Sequence, residues 1–315
     1  MDLRQLTYFV HVLEAGSFTR AAEVLHMAQP ALSQQIQKLE EELGQKLLVR
    51  HSRGVVVTEA GARFLRHVTS ILRSVDAARQ DMRLFRGEAR QEIKLGIPRS
   101  LGTAIAVELR HAWVDRLPEM SLGLVEFMNT HLVEWLLTGR LDLALSYAPD
   151  DAQRLRYLPV LRESFCLVGP ASLGQAGHLG EISLTESADK NLILPSSFHD
   201  NRKLIDAAAD YCGVRLKVAH EIDSVELALA LIDAGIGYSI QPFLSVQHLL
   251  ATRRLALWHI VQPEITRRLQ IAYASDQPLS REMLRVLEEL RLYLRQFLDR
   301  VASPLITAEL EDDPA

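Results

Sequence analysis

The chain has 315 residues, 48% of them apolar and 24% charged, with a formal net charge of −5. This length accommodates two or three domains, each with its own core, and the apolar content excludes a chain too polar to fold. No stretch approaches the roughly 18 uninterrupted apolar residues of a membrane span, and the opening Met1-Asp2-Leu3-Arg4 lacks a secretion signal, so a cytoplasmic location is expected.

From Leu3 to about residue 47 the apolar residues fall at helical spacing: Leu6, Phe9, Val10 and Leu13, then Phe18, Ala21, Ala22 and Leu25, then Leu32, Ile36, Leu39 and Leu43. Three short helices are predicted. Gly16-Ser17 separates the first two, with Ser17 placed to cap the second, and residues 26–30, ending in Pro30, separate the second from the third. Residues 47–57 read as a two-stranded ribbon with a basic tip at Arg50, Arg53 and Gly54. Residues 1–60 therefore form a winged helix-turn-helix, all-α with a small wing. Residues 1–90 hold 13 Lys and Arg against 10 Asp and Glu, whereas the remainder carries a net −8. The N-terminal part is the cationic one, as suits a phosphate-binding module.

Residues 58–88 contain no proline, and their apolar positions Leu65, Val68, Leu72, Val75 and Met82 recur by threes and fours. Phe64, Ile71, Ala78 and Phe85 repeat every seven beside them, while Arg63, Arg66, Arg73, Arg79 and Arg83 fall on other faces. One long linker helix of about 40 Å is predicted at roughly 1.5 Å per residue. A stripe of that length exceeds what a domain of about 60 residues can cover, so a second copy of the chain is the expected partner. The plainer alternative is a helix lying across its own domain.

After a polar hinge at 87–91, short apolar runs at 93–97, 122–127, 141–146, 165–168, 192–194, 237–240 and 269–273 alternate with helical stretches at 104–114, 132–137, 202–209 and 225–234. This is α/β architecture with mainly parallel strands expected. A last helix at 281–298 precedes residues 301–315, read as a disordered acidic tail.

The block from Ser17 to Gly44, with Ala28-Gln29-Pro30-Ala31-Leu32-Ser33-Gln34-Gln35 at its centre, closely resembles the N-terminal signature of LysR-type transcriptional regulators. Leu47-Leu48-Val49-Arg50 and Thr58-Glu59-Ala60-Gly61 extend the match in register, and the combination looks most like the nitrogen-assimilation-control branch. Independently of the resemblance, a third helix opening with small, hydrogen-bonding residues fits a major groove. There Gln29, Ser33, Gln34 and Gln37 are expected to meet base edges, while Lys38, Arg50 and Arg53 neutralise phosphates, and Pro30 completes the DNA-binding set. Two positions depart from the commoner pattern: Ala28 stands where serine is usual, and Gln34 where arginine is usual. A lost cap costs about 1 kcal/mol, and one fewer cation implies a shallower salt dependence.

The resemblance implies that residues 91–300 form a periplasmic-binding-protein-like regulatory domain: lobe I at about 91–161 and 269–300, lobe II at about 162–268. Crossing strands near 160–168 and 268–273 would join them. A small anionic effector would sit between the lobes, at strand ends and helix N-termini. Ser100, Thr103, Asn129, Thr130 and Tyr147 are its candidates from one side, Ser196, His199 and Ser224 from the other. For the serines and Asn129, simple helix capping is the competing role. Regulators of the nitrogen-control branch are thought to work without an effector, which would leave this cleft vestigial. The implied partners are double-stranded promoter DNA, RNA polymerase and further copies of the chain, as dimer or tetramer.

No G-x-S-x-G, phosphate loop, H-E-x-x-H or C-x-x-C occurs, so neither an enzyme nor a cofactor or metal site is expected. Cys166 and Cys212 are read as buried thiols. A free-standing solute sensor is the remaining rival, and the N-terminal helix-turn-helix argues against it.

Overall fold

In the computed structural model, which describes residues 1–51, 54–85, 91–147, 154–170, 179–247, 255–275 and 279–310, the first helix begins at a reciprocal cap. The Asp2 carboxylate accepts from the Gln5 backbone N–H at 2.8 Å, and the Gln5 side chain accepts from the Asp2 N–H at 3.0 Å. Helix α1 (Leu3–Ala15) then runs to Gly16, and α3 (Gln29–Leu43) runs to Gly44; both glycines are left-handed, at φ +61° and +63°. Between them lies α2 (Phe18–Val24). Ser17 occupies the cap position of α2 but its side chain makes no cap bond, so the expected serine cap is not formed. Ala28 likewise caps nothing, and Pro30 in the first turn supplies the helix-compatible φ instead.

Strands β1 (Leu48–His51) and β2 (Gly54–Val57) pair antiparallel as the wing, followed by α4 (Glu59–Phe85). The Thr58 hydroxyl accepts from the Gly61 N–H at 2.9 Å and starts this helix. A side chain at Gly61 would put its Cβ 2.1 Å from the Leu47 carbonyl oxygen, so glycine is what lets α4 cross the wing. Leu6, Phe9, Val12, Leu32, Ile36, Leu39 and Val68 form the core of this unit. The apolar stripe of α4 is thus divided. Its first half, with Phe64, Leu65, Val68 and Leu72, packs on the unit's own helices, contrary to the expectation that the stripe needs a partner throughout. Further along, Ile71, Ala78 and Met82 are exposed and Val75 is half-buried.

The chain divides into two compact units, Met1–Gln91 with Thr138–Arg140, and Glu92–Leu137 with Leu141–Ala315. In the second, β3 (Gln91–Pro98), α5 (Arg99–Arg116), β4 (Met120–Phe127), α6 (Asn129–Leu137) and β5 (Leu143–Ser146) lead into β6 (Leu155–Pro170). Next come β7 (Leu179–Ile182), α7 (Leu184–Ala188), β8 (Leu192–Leu194), α8 (Asp200–Cys212), β9 (Val218–Glu221), α9 (Val225–Asp233), β10 (Ser239–Pro242) and α10 (Phe243–Gln247). The chain returns through β11 (Leu255–Ile260), β12 (Thr266–Ala274), α11 (Arg281–Val301) and β13 (Ile306–Ala308).

The main sheet runs β4-β3-β5-β12-β6-β11-β7, with β10 and β13 also on β6, while β8 and β9 pair separately. Strand β6 is the shared element. Its first half pairs with β12, and its second half with β10 and β11, so one continuous strand passes from lobe I to lobe II. Burial from Phe165 to Val168 is complete because both faces of the strand are covered. The sheet is mixed rather than mainly parallel: β3–β5 and β7–β11 are parallel, but every strand on β6 is antiparallel to it. The crossing strands β6 and β12 traverse the lobes in opposite directions, which imposes that mixture.

The C-terminal segment also departs from expectation. Residues 306–308 pair with 161–163 of β6, and the Glu309 N–H donates to the Val160 carbonyl at 2.9 Å. The Glu309 carboxylate pairs with Arg162 at 2.8 Å and Arg268 at 2.6 Å, and Leu305 is buried. An acidic residue here finds two arginines on adjacent strands, so the expected disordered tail is ordered through residue 310. Residues 311–315, residues 87–90 of the expected hinge and Arg53 lie outside the described residues, while Gln91 of that hinge opens β3. Among the described residues no helix is long and apolar enough to cross a membrane.

Candidate functional site

Helix α3 has two faces. Leu32, Ile36, Leu39 and Glu40 point into the core, while Pro30, Gln34, Gln37 and Lys38 are exposed and Gln29 and Ser33 half-buried. The exposed residues lie on the ridge that the sequence assigns to a groove. The Ser33 hydroxyl oxygen accepts from Gln29 Nε2 at 2.7 Å and from Arg50 Nη2 at 2.8 Å. With both lone pairs engaged, its hydrogen is left to donate outward. The Arg50 guanidinium also lies 3.9 Å above the centre of the Phe18 ring. It is therefore held against α3 from β1, not extended at the tip of the wing. Gln37 donates to Glu41 at 2.8 Å, which fixes its rotamer and leaves its carbonyl oxygen to accept.

Glu40 holds this assembly together. Its buried carboxylate accepts from the backbone N–H groups of Leu47 and Leu48, at 2.9 and 3.2 Å, and from Lys46 at 2.6 Å. The turn after α3 thus has its donors satisfied by a side chain from α3 itself, which fixes the wing relative to that helix. The sequence carries a faint signal for this role: a charged residue next to Leu39, on the apolar face.

In the regulatory unit Arg267, on β12, gathers groups from both lobes. Its guanidinium pairs with Glu163 of β6 at 2.7 Å, and the two side chains are 6% and 0% exposed. It further donates to Asn201 Oδ1 at the start of α8 and to the Ser100 hydroxyl at the start of α5, both at 3.0 Å. The guanidinium carbon lies 3.6 Å from the centre of the Tyr147 ring. The second oxygen of Glu163 accepts from the Leu244 N–H at 2.9 Å, so the carboxylate is bonded on both sides.

Of the eight effector candidates, Ser100 and Tyr147 meet at Arg267 directly. Burial pushes the Tyr147 phenol well above its ordinary pKa, with Arg267 opposing and Glu163 reinforcing the shift. The Tyr147 hydroxyl has no hydrogen-bond partner among the described residues. His199 stands next to Asn201, whose backbone N–H donates to its Nδ1 at 3.2 Å. Burial lowers the His199 pKa, the positive charge of Arg267 adds to the effect, and Asp200 and Asp223 oppose it. A neutral ring accepting at Nδ1 carries its proton on Nε2. Asp223 accepts from the Ser196 N–H at 2.8 Å, and that bond lowers its pKa.

The others are engaged elsewhere or exposed. Asn129 Oδ1 accepts from the Ser146 hydroxyl at 3.0 Å and the Tyr147 N–H at 2.9 Å, tying α6 to the end of β5. Ser224 caps α9 through the Leu227 N–H. Thr103 and Thr130 are exposed, Thr130 beside His131. Glu163, Asn201 and Arg267 were not foreseen. None of them belongs to a local pattern, since Arg267 lies 104 residues from Glu163 and 167 from Ser100.

The cysteines differ from one another. Cys166 is fully buried, with its thiol directed to the Gln241 carbonyl at 3.4 Å; burial, reinforced by the Glu163 charge, raises its pKa far above the ordinary value. Cys212 is half-buried, which corrects the expectation that both are enclosed. A thiol reagent at mildly alkaline pH is expected to modify Cys212 and leave Cys166 intact until the chain is unfolded. Mass spectrometry of labelled peptides checks this, and native labelling of Cys166 would contradict it.

A winged helix-turn-helix with an ordered polar ridge, on the same chain as a two-lobed α/β unit with a polar group at its strand crossing, defines a DNA-binding transcriptional regulator with a regulatory domain. The chain belongs to the LysR family: residues 3–62 match the bacterial regulatory helix-turn-helix protein, lysR family, and residues 86–295 match the LysR substrate binding domain. It is 34% identical to the nitrogen assimilation regulatory protein Nac of Klebsiella aerogenes, over 89% of this chain and 91% of that protein. Full-length OxyR from Pseudomonas aeruginosa shares the fold with a TM-score of 0.66 at 25% identity, covering 94% of this chain and 95% of that one. CbnR complexed with its target DNA gives a TM-score of 0.53 at 25% identity, covering 93% of this chain and all of that one. The family is one of transcriptional regulators, not of enzymes.

Proposed function

We propose that this regulator is cytoplasmic and binds promoter DNA as a dimer of identical chains, which pairs again into a tetramer. The exposed half of the α4 stripe, Ile71, Val75, Ala78 and Met82, is what a second α4 would cover. Helix α3 enters the major groove with Gln29, Ser33, Gln34 and Gln37 toward base edges and Pro30 in its first turn, and Lys38, Arg50 and Arg53 neutralise phosphates. The observation that carries this reading is the Gln29–Ser33–Arg50–Phe18 network. It orders two base-reading side chains and one phosphate-binding arginine before DNA arrives, so less conformational entropy is lost on binding.

Bound DNA is bent between neighbouring sites, and a change in lobe packing alters that bend and the contact with RNA polymerase. The group around Ser100, Asn129, Tyr147, Ser196 and His199 is where a small anionic effector would act, with Thr103, Thr130 and Ser224 as the remaining candidates. Its likeness to Nac supports the nitrogen-control branch, in which no effector is needed.

A gel-shift titration on the chain's own upstream region tests the reading. Retardation is expected to weaken steeply with salt. Arg50→Ala is expected to lower affinity about tenfold and to reduce the slope of log K against log salt by about 1. No salt-sensitive retardation by the wild type would overturn the proposal.

A further inference from the structure

Arg267 is one cation bonded to three separate elements besides its own. From the hinge strand β12 it reaches Glu163 on the other hinge strand, Ser100 on α5 in lobe I and Asn201 on α8 in lobe II. It also covers the ring of Tyr147, just past β5. The N-termini of α5 and α8 are the places in such a cleft where free N–H groups and helix dipoles favour an anion. Here the side-chain oxygens of Ser100 and Asn201 instead face a guanidinium, and Glu163 compensates its charge within the site. The bonds from a buried charged donor are stronger than neutral ones, because water does not compete for them. The N-terminal turns of α5 and α8 are thus already bridged through one side chain.

We infer that Arg267 is a built-in occupant of the regulatory cleft, which holds the two lobes closed without any small molecule. The inference rests on the regulatory reading given above and specifies how that site is set. It makes the closed arrangement the resting state of the unliganded chain. Any molecule that reopens the cleft must displace Ser100 or Asn201 from the guanidinium, and must compensate the donors it frees.

The test separates a tether from two unrelated local bonds. Ser100→Ala and Asn201→Ala each remove one end and leave the Arg267–Glu163 pair intact, so folding is preserved. Hydrogen exchange is followed by mass spectrometry in the full-length protein without added ligand, over residues 99–106 of α5 and 200–208 of α8. A tether couples the lobes: Ser100→Ala is expected to speed exchange in 200–208 about tenfold, and Asn201→Ala to do the same in 99–106. Acceleration confined to the substituted helix would overturn the inference. The wild-type gel shift is read separately, so a failure of promoter binding and a failure of the tether are distinguishable.

Discussion

Arg267→Met is expected to lower the stability of the regulatory unit by about 3–5 kcal/mol, because it leaves the Glu163 carboxylate buried and uncompensated. The loss comes chiefly from the stranded charge and much less from the missing packing, since methionine fills similar space. The double variant Glu163→Gln with Arg267→Met is therefore expected to recover most of it. A glutamine oxygen still accepts from the Leu244 N–H, and no charge remains to be solvated. Urea unfolding followed by tryptophan fluorescence reads this unit alone, since Trp113, Trp135 and Trp258 are the only tryptophans and all lie within it. A double variant no more stable than Arg267→Met would show that the pair's charges are not what matters.

Glu40→Ala is expected to cost the DNA-binding unit about 2–4 kcal/mol and to abolish retardation of promoter DNA. Two buried N–H groups, on Leu47 and Leu48, lose their acceptor together, at about 1–3 kcal/mol each when left unmade. The bond to Lys46 contributes little by comparison, because that side chain is 73% exposed and its charge is screened. Glu40→Gln keeps an acceptor oxygen and is expected to lose less than half as much. Thermal unfolding by circular dichroism, with the gel shift as functional readout, checks the order. Equal losses from Ala and Gln would mean that the Lys46 charge pair, not the backbone donors, fixes the wing.

How far each feature was legible follows from the range of the interaction behind it. Helices α1 to α3 and the wing are set by spacing, glycine stops and Pro30, all within a few residues of one another. The end of α3 before Gly44 and the start of α4 after Thr58 agree with that reading, whereas α3 begins at Gln29, inside the segment read as the separator. Strands β7, β9, β11 and β13 were missed: each is three to six residues long, and β7, β9 and β13 have half-buried or exposed faces that leave little apolar signal. The mixed direction of the sheet was missed too, because strand direction depends on which neighbour is chosen, and apolar runs do not encode that choice.

By itself the sequence determined the class of the protein, the DNA-reading ridge of α3 and the presence of a two-lobed regulatory half. The helical ridge arises from local periodicity, the class from a motif whose residues are close along the chain, and the two lobes were what the resemblance implied beyond an α/β pattern. The tertiary structure alone decided that Arg50 is drawn onto Phe18 and Ser33, that α4 packs Phe64, Leu65, Val68 and Leu72 on its own unit while Ile71, Ala78 and Met82 stay exposed, and that Arg267 joins Glu163, Ser100 and Asn201. Each of these depends on side chains brought together from distant segments, where burial and charge compensation act and sequence spacing carries no record of them.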